Sequence, residues 1–482
     1  MRRSSTPRFA ADRAVSELET SYDVIVVGAG TAGLPAALGA AARGLRVALV
    51  EAGAEIGGTL RLSSASISAA GTSIQAANGI EDDADRHFRD CLRINHGTGD
   101  HVLLRRWIDE AAAMVEWLLS LGWTCTLDAP VFAPEHDLYD VPRTYRSSRQ
   151  GFSLIDAFAP GLDEAVAAGR IVPHLSTRFR DLIVDDGRAT GIVAERGGAT
   201  VRLEAKAVIL STGGFSGSAR HWQELHGLVP IRYHIDTVVG DAIDPVRAAG
   251  GSLWFEEYVL PAFGATRDMG SPAAAWIHSY VLPSMRPPWE IYVNARGERF
   301  MAEDEPSIDA RERALMAQPG WSFWSIYDEA IRREAPPLFR WEPEKVEAMF
   351  AGADEDYVRA GSIAELAEGC GVPADALAGT IDLFNRGQRV GSDRWRRQHM
   401  PRPIGEGPFY AVRHHGCSIS SYPGLRVDEA LRVLRTDGTA IDGLYAAGEV
   451  IGIGFLGHGF LSGSIVSSAI TFGLRLGRTV LA

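Results

Sequence analysis

The sequence predicts an α/β protein in which a parallel sheet is assembled from both ends of the chain, with a smaller α+β unit inserted between them. Three observations carry this. The β-branched run Asp23-Val24-Ile25-Val26-Val27 leads into a glycine-rich turn and an Ala/Leu-rich helix that ends near Arg43 and Gly44. A second apolar run over residues 207–210 ends in Ser211-Thr212-Gly213-Gly214, and a third, Gly443-Leu444-Tyr445-Ala446-Ala447, leads through another glycine-rich loop to a helix over 464–477. Short continuous apolar runs of this kind are strands covered on both faces of a parallel sheet. Their placement near both termini puts the intervening segment outside that sheet.

Length and composition bound the rest. A chain of 482 residues is a prior for two to four domains. Hydrophobic residues at 46% and charged ones at 23% are ordinary globular values, which argue against extended disorder. A net charge of −13 offers no bulk attraction to phosphate backbones or anionic lipid, so nucleic acid is not an expected partner. Cys91, Cys125, Cys370 and Cys417 form no C-x-x-C and are far apart, so metal knuckles and dithiol redox pairs lack support, and no metal is expected. Residues 1–20 are polar and read as a disordered tail, without the apolar segment of a signal peptide. No run reaches the roughly 18–20 apolar residues of a membrane span, so a cytoplasmic location is expected. The 52 glycines are the unusual feature, because they cluster.

The first cluster is Gly28-Ala29-Gly30-Thr31-Ala32-Gly33, between a buried strand and a helix. A second strand, Arg46-Val47-Ala48-Leu49-Val50, follows and ends at Glu51. A lone G-x-G-x-x-G is weak, but inside a βαβ unit with an acid closing the second strand it is a dinucleotide fingerprint. Gly28 permits the tight turn, Gly30 lets the backbone approach a pyrophosphate, and Gly33 lets the helix lie close to the sheet. The helix N-terminus supplies amide donors for phosphate, and Glu51 accepts ribose hydroxyls. The domain is therefore Rossmann-like, built from residues 21–265 and 416–482. Residues 266–415 form the inserted unit, rich in proline and tryptophan, with a hairpin at Ile291-Tyr292-Val293, Asn294-Ala295-Arg296-Gly297, Glu298-Arg299-Phe300.

Further segments carry a resemblance. Glu55-Ile56-Gly57-Gly58-Thr59, the serine/alanine-rich stretch over 62–72, Ser211-Thr212-Gly213-Gly214-Phe215, Val239-Gly240-Asp241-Ala242, the 293–300 hairpin and Gly443-Leu444-Tyr445-Ala446-Ala447-Gly448-Glu449 occur in that order. Together they resemble the fumarate reductase/succinate dehydrogenase flavoprotein family, which includes 3-ketosteroid and tricarballylate dehydrogenases. The resemblance implies bound FAD, its isoalloxazine between the two domains, and hydride transfer at flavin N5. It implies cofactor contacts at Gly28, Gly30, Thr31, Ala32, Gly33, Glu51, Ala52, Gly57, Gly58, Thr59, Ser64, Ser66, Phe179, Ser211, Thr212, Gly213, Gly240, Asp241, Gly448, Glu449, Ser464 and Ile465. Some members attach the flavin to a histidine after the Gly-Gly pair. Ser64, Ala65 and Ser66 stand there, so non-covalent FAD is expected.

The substrate residues depart from the fumarate pattern. The turn Ser418-Ile419-Ser420-Ser421-Tyr422-Pro423-Gly424 has no histidine. Phe460 replaces the arginine of the loop Gly457-His458-Gly459-Phe460-Leu461-Ser462-Gly463-Ser464, and Ser307 or Ile308 stands at the proton-donor position. A small dicarboxylate would bury unpaired charge. The ketosteroid dehydrogenases are similar in the aromatic-x-Ser-Gly loop, although Ser307 and Phe460 stand where they use tyrosines. His458 and Tyr145 are the candidate bases, Tyr145 with Arg143 or Arg146 as the cation that lowers its pKa. Ser462 polarises the carbonyl. For Tyr145 the competing role is a packed tyrosine in a surface loop, and for His458 a loop cap.

The resulting expectation is an FAD-dependent dehydrogenase of the CH–CH bond next to a carbonyl, acting on a small apolar cyclic or steroid-like ketone and reoxidised by an external acceptor. Alternatives are the same chemistry on a tricarballylate-like acid, held by His458, Arg143, Arg311 or Arg313, and ene reduction in the reverse direction. A flavin electron-transfer module is the alternative of another class, which the inserted unit argues against.

Overall fold

Strand Ser21–Val27 pairs in parallel with Val47–Val50 on one side and with the second half of Ala199–Leu210 on the other. The computed structural model describes residues 21–268, 271–277, 279–352 and 354–482, so the tail expected over 1–20 lies outside the described residues. Ile171–His174 and Ala440–Ala446 extend the parallel core outward in opposite directions. Its central side chains, among them Val24, Ile25, Val26, Leu49 and Val208, are buried, as continuous apolar strands between two covering layers must be. An antiparallel run of Thr177–Asp185, Arg188–Arg196 and the first half of Ala199–Leu210, together with Arg432–Leu434, completes eight strands. Helix Gly33–Ala42 makes the crossover from the first strand to the second and packs on the last helix, Ser464–Thr479. Both ends of the described chain thus enter one sheet, as the sequence predicts.

The second layer is a seven-stranded, mainly antiparallel sheet. In order it holds Ala262–Asp268, Ser271–Ile277, Ile231–Arg232, Phe409–Ser418, Ser322–Asp328 and Ile291–Val293, with Tyr357–Ala360 alongside Phe409–Ser418. It has its own core, built around Phe323, Tyr292, Ile326, Phe384 and Tyr410, separate from that of the first sheet. Two of its strands, Ala262–Asp268 and Phe409–Ser418, run across the expected limits at 265/266 and 415/416. Ile231–Arg232 joins it from still earlier in the chain. The expected hairpin at 291–300 is a tight turn with a single bridge between Val293 and Arg299, and the main partner of Ile291–Val293 is Ser322–Asp328.

Helix Ile308–Met316 ties the two layers together. Asp137 accepts from the main-chain N–H groups of Ile308 and Asp309, His96 Nε2 lies 2.9 Å from Asp309 Oδ2, and Arg313 donates to the His458 carbonyl at 3.4 Å.

Candidate active site

The three fingerprint glycines face different surroundings. Gly28 sits at φ +103°, where an added Cβ would lie 2.2 Å from the Ser211 carbonyl oxygen. At Gly33 it would lie 1.8 Å from the Gly28 carbonyl oxygen, so helix and strand touch there. At Gly30 it would meet nothing within 4 Å, because that residue faces open space. Glu51 closes the turn: Oε2 accepts from the Ala29 N–H at 2.9 Å and Oε1 from the Gly53 N–H at 2.7 Å. Burial raises the Glu51 pKa, and the hydrogen bonds from Gly53 and Ala29 oppose that rise. The Gly57 N–H donates to the Ala29 carbonyl at 2.8 Å, which docks the Gly57-Gly58 turn on the first loop.

These loops open onto a cavity of about 620 Å³. Of the expected cofactor contacts, Gly28, Gly30, Thr31, Ala32, Glu51, Ala52, Gly58, Thr59, Ser64, Ser66, Phe179, Ser211, Thr212, Gly213, Asp241, Gly448, Glu449 and Ile465 line it. Four do not. Gly33 and Gly57 act behind the wall through the contacts just given. The Gly240 N–H donates to the Gly214 carbonyl, and Ser464 Oγ is turned back to the Leu461 carbonyl at 2.6 Å. Beside Phe179, Asp241 is paired with Arg178 at 2.9 Å. Glu449 is half-buried; desolvation raises its pKa, and Oε1 accepts from the N–H and hydroxyl of Ser421.

The expected catalytic residues separate. Ser462 lines the cavity, 3% exposed, with its hydroxyl 3.2 Å from Thr144 Oγ1. The other four lie outside the lining. Arg143 is fully buried between Asp82, at 2.9 Å, and Asp90, at 2.6 Å, so its charge is already spent within the fold. Tyr145 is also fully buried, its hydroxyl held 2.6 Å from Thr72 Oγ1. Burial pushes that phenol up, with no cation placed to lower it, which corrects the expected phenolate. Ser307 caps helix Ile308–Met316 by accepting from the Ala310 N–H. His458 stacks on Tyr258 with ring centroids 3.8 Å apart, and its main-chain N–H donates to Thr98 Oγ1. This is the loop-capping role. Of the anion contacts weighed for an acidic substrate, Arg311 is buried against the carbonyls of Glu303 and Val281 and the Phe263 ring, and Arg313 pairs with Asp309.

Other residues line the same cavity. Glu135, His136, Arg146, Tyr233, His234, Ile419 and Phe460 line it with Ser462. Arg146 is held by Glu135 through two hydrogen bonds, at 2.7 and 3.2 Å. His136 lies flat on Phe460, centroids 4.1 Å apart and planes 20° from parallel. Of these, Arg146, Ile419 and Phe460 stand in segments marked by the sequence. Pro134-Glu135-His136-Asp137 is an aperiodic polar run whose one signal is its nearness to the 141–146 loop.

A parallel sheet with a glycine fingerprint at the open end of its first strand, an acid at the end of the second and a long cavity between them define a dinucleotide-dependent oxidoreductase. Residues 23–466 match the family described as FAD binding domain, and the chain belongs to that family. Its cofactor is FAD, and the residues present fit it: Gly30 leaves the space a pyrophosphate needs, and Glu51 presents a buried carboxylate beside it. The chain is 29% identical over 475 residues to the NADH:fumarate oxidoreductase of Klebsiella pneumoniae (strain 342), covering 95% of this chain and 47% of that protein. It is 26% identical to the 3-oxosteroid 1-dehydrogenase of Mycolicibacterium smegmatis, covering 94% and 96%. The fold is shared with the 3-ketosteroid Δ1-dehydrogenase of Sterolibacterium denitrificans, solved with 1,4-androstadiene-3,17-dione, at a TM-score of 0.75, with 21% identity and coverage of 95% and 99%. Among the described residues no helix is long and apolar enough to cross a membrane.

Proposed function

We propose that the protein desaturates a CH–CH bond next to a carbonyl, in an uncharged cyclic or steroid-like ketone, with FAD held non-covalently and reoxidised by an external acceptor. The observation that carries this is the charge balance of the cavity lining. Its one arginine, Arg146, is matched by Glu135. Arg143, Arg311 and Arg313 are engaged elsewhere. A dicarboxylate entering here would find no free guanidinium, whereas the faces of Phe460, Ile419 and Tyr233 suit an apolar ring system. The relative named for 3-oxosteroids matches over nearly its whole length, which supports the reading.

When bound, the flavin supplies a two-electron acceptor for hydride. The chain supplies the rest. The Ser462 hydroxyl, desolvated in the wall, donates to the substrate carbonyl oxygen, where negative charge grows as the neighbouring proton leaves. The N-terminal turn of Ser464–Thr479 presents Ile465 and Val466 to the cavity, and its amide dipoles favour negative charge on the bound cofactor. Closure by the second layer excludes water from both.

Anaerobic mixing with saturated cyclic ketones, 3-oxosteroids and polycarboxylates tests this. Loss of oxidised-flavin absorbance is expected with the ketones. Bleaching by polycarboxylates alone would overturn the substrate class. With Ser64, Ala65 and Ser66 in the segment after Gly57-Gly58, flavin fluorescence should leave the polypeptide on a denaturing gel.

A further inference from the structure

Two imidazoles line the cavity: His234, whose Nδ1 lies 2.8 Å from the Ile235 carbonyl oxygen, and His136. The His136 ring is fixed against Phe460, and no hydrogen bond to either nitrogen is formed among the described residues. Nδ1 is buried without a partner, which leaves Nε2 as the nitrogen that a molecule in the cavity can reach. Nε2 also has no hydrogen-bond partner among the described residues, so a ligand in the cavity can complete its bonding. The same cavity is lined by Ser462, the group assigned above to the carbonyl oxygen.

We propose that His136 is the base that removes the proton α to the carbonyl, an assignment that rests on the desaturase reading. The α C–H bond breaks, its electron pair becomes the C=C bond of an enolate whose oxygen is held by Ser462, and the proton passes to Nε2. The required tautomer carries its hydrogen on Nδ1. Burial pulls the imidazole pKa down to about 4, so the ring is neutral and its lone pair free. Glu135, next in the chain, favours the imidazolium once formed, and Arg146 opposes it; these are the charged groups that face the ring. Their mutual pairing keeps Arg146 from suppressing the proton transfer outright. A phenylalanine at 460 then has a clear use: it orients the base instead of acting as one.

The proton step needs no oxidant, so it is tested apart from turnover. The flavin-loaded protein is reduced with dithionite under nitrogen and incubated with α-deuterated cyclohexanone and an α-deuterated saturated 3-oxosteroid. Deuterium washout is followed by mass spectrometry against a protein-free blank. Washout above the blank is expected from the unaltered protein. His136→Gln and His136→Asn should each lose on the order of 100-fold of that excess while keeping their FAD, and added imidazole should restore part of it in His136→Ala. Wild-type washout by either the Gln or the Asn variant overturns the role of His136 while leaving the desaturase reading standing, provided ketones bleach the oxidised protein. Bleaching without any washout from the unaltered protein also overturns it. Neither bleaching nor washout with any ketone overturns the desaturase reading, and the assignment of His136 falls with it.

Discussion

Gly30 and Gly33 lie three residues apart in one turn, yet a methyl group at each has opposite consequences. At Gly33 it would collide with the Gly28 carbonyl, which is main chain and cannot move without shifting the strand. Gly33→Ala should therefore destabilise the fold by about 1–3 kcal/mol, the usual cost of overpacking. At Gly30 the methyl enters only the cavity, so Gly30→Ala should keep its melting temperature without FAD. Its affinity for FAD should fall by about tenfold or more, about 1.4 kcal/mol. Thermal melts of the FAD-free forms, with flavin titrations beside them, read both effects. Equal losses of stability would contradict the distinction. The spacing of these glycines is legible in sequence, since each role follows from local backbone geometry. Which side of the turn is open is also implied, because the third glycine lies on the helix.

At the scale of an element, the loop carrying Arg143 and Tyr145 shows where local reading stops. Its residue types suit acid–base chemistry, and a tyrosine beside arginines is a reasonable candidate base. The strand pair Ile67–Ser68 and Thr144–Tyr145 instead turns Tyr145 inward onto Thr72, while helix Ala84–Ile94 delivers Asp90 to Arg143. Arg143→Met should strand two buried carboxylates and cost about 3–5 kcal/mol, seen as a lowered denaturant midpoint. Tyr145→Phe removes a hydrogen bond worth about 0.5–1.5 kcal/mol, and its rate of flavin reduction should match the unaltered protein. A large fall in that rate with FAD retained would return Tyr145 to the chemistry. The His458 loop follows the same logic: its flanking glycines are visible in the sequence, but its stacking on Tyr258 depends on a segment two hundred residues earlier.

For the molecule as a whole, burial of neutral histidines couples folding to pH. Burial holds His174 and His414 down at about 4, against an ordinary value of 6.5. Their contribution is present above 6.5, and it is lost as pH falls toward 4, because the unfolded chain takes up the protons first. Glu51 and Glu449, raised by burial, act in the opposite sense: their contribution falls as pH rises through their raised values. His174→Gln, which keeps an acceptor for the Tyr22 hydroxyl, isolates one histidine. Its melting temperature should drop less between pH 6.5 and 4 than that of the unaltered protein. An identical drop would mean that His174 titrates normally in the fold.

The sequence by itself determined the α/β class, the glycine fingerprint with Glu51, and the loops that carry 18 of the residues lining the cavity. Those features are local: a strand, a turn and a helix next to one another in the chain, with residue types dictated by backbone clearance. Only the tertiary structure assembled the rest of the cavity lining. There Glu135, His136 and Arg146 meet Tyr233, Ile419, Phe460 and Ser462 from four separated segments. Their meeting depends on how two sheets with separate cores are set against each other, and no spacing along the chain records that. The same packing placed Arg143, Tyr145 and His458 outside the cavity lining, with the Arg143 charge and the Tyr145 hydroxyl paired to neighbours the fold brings to them.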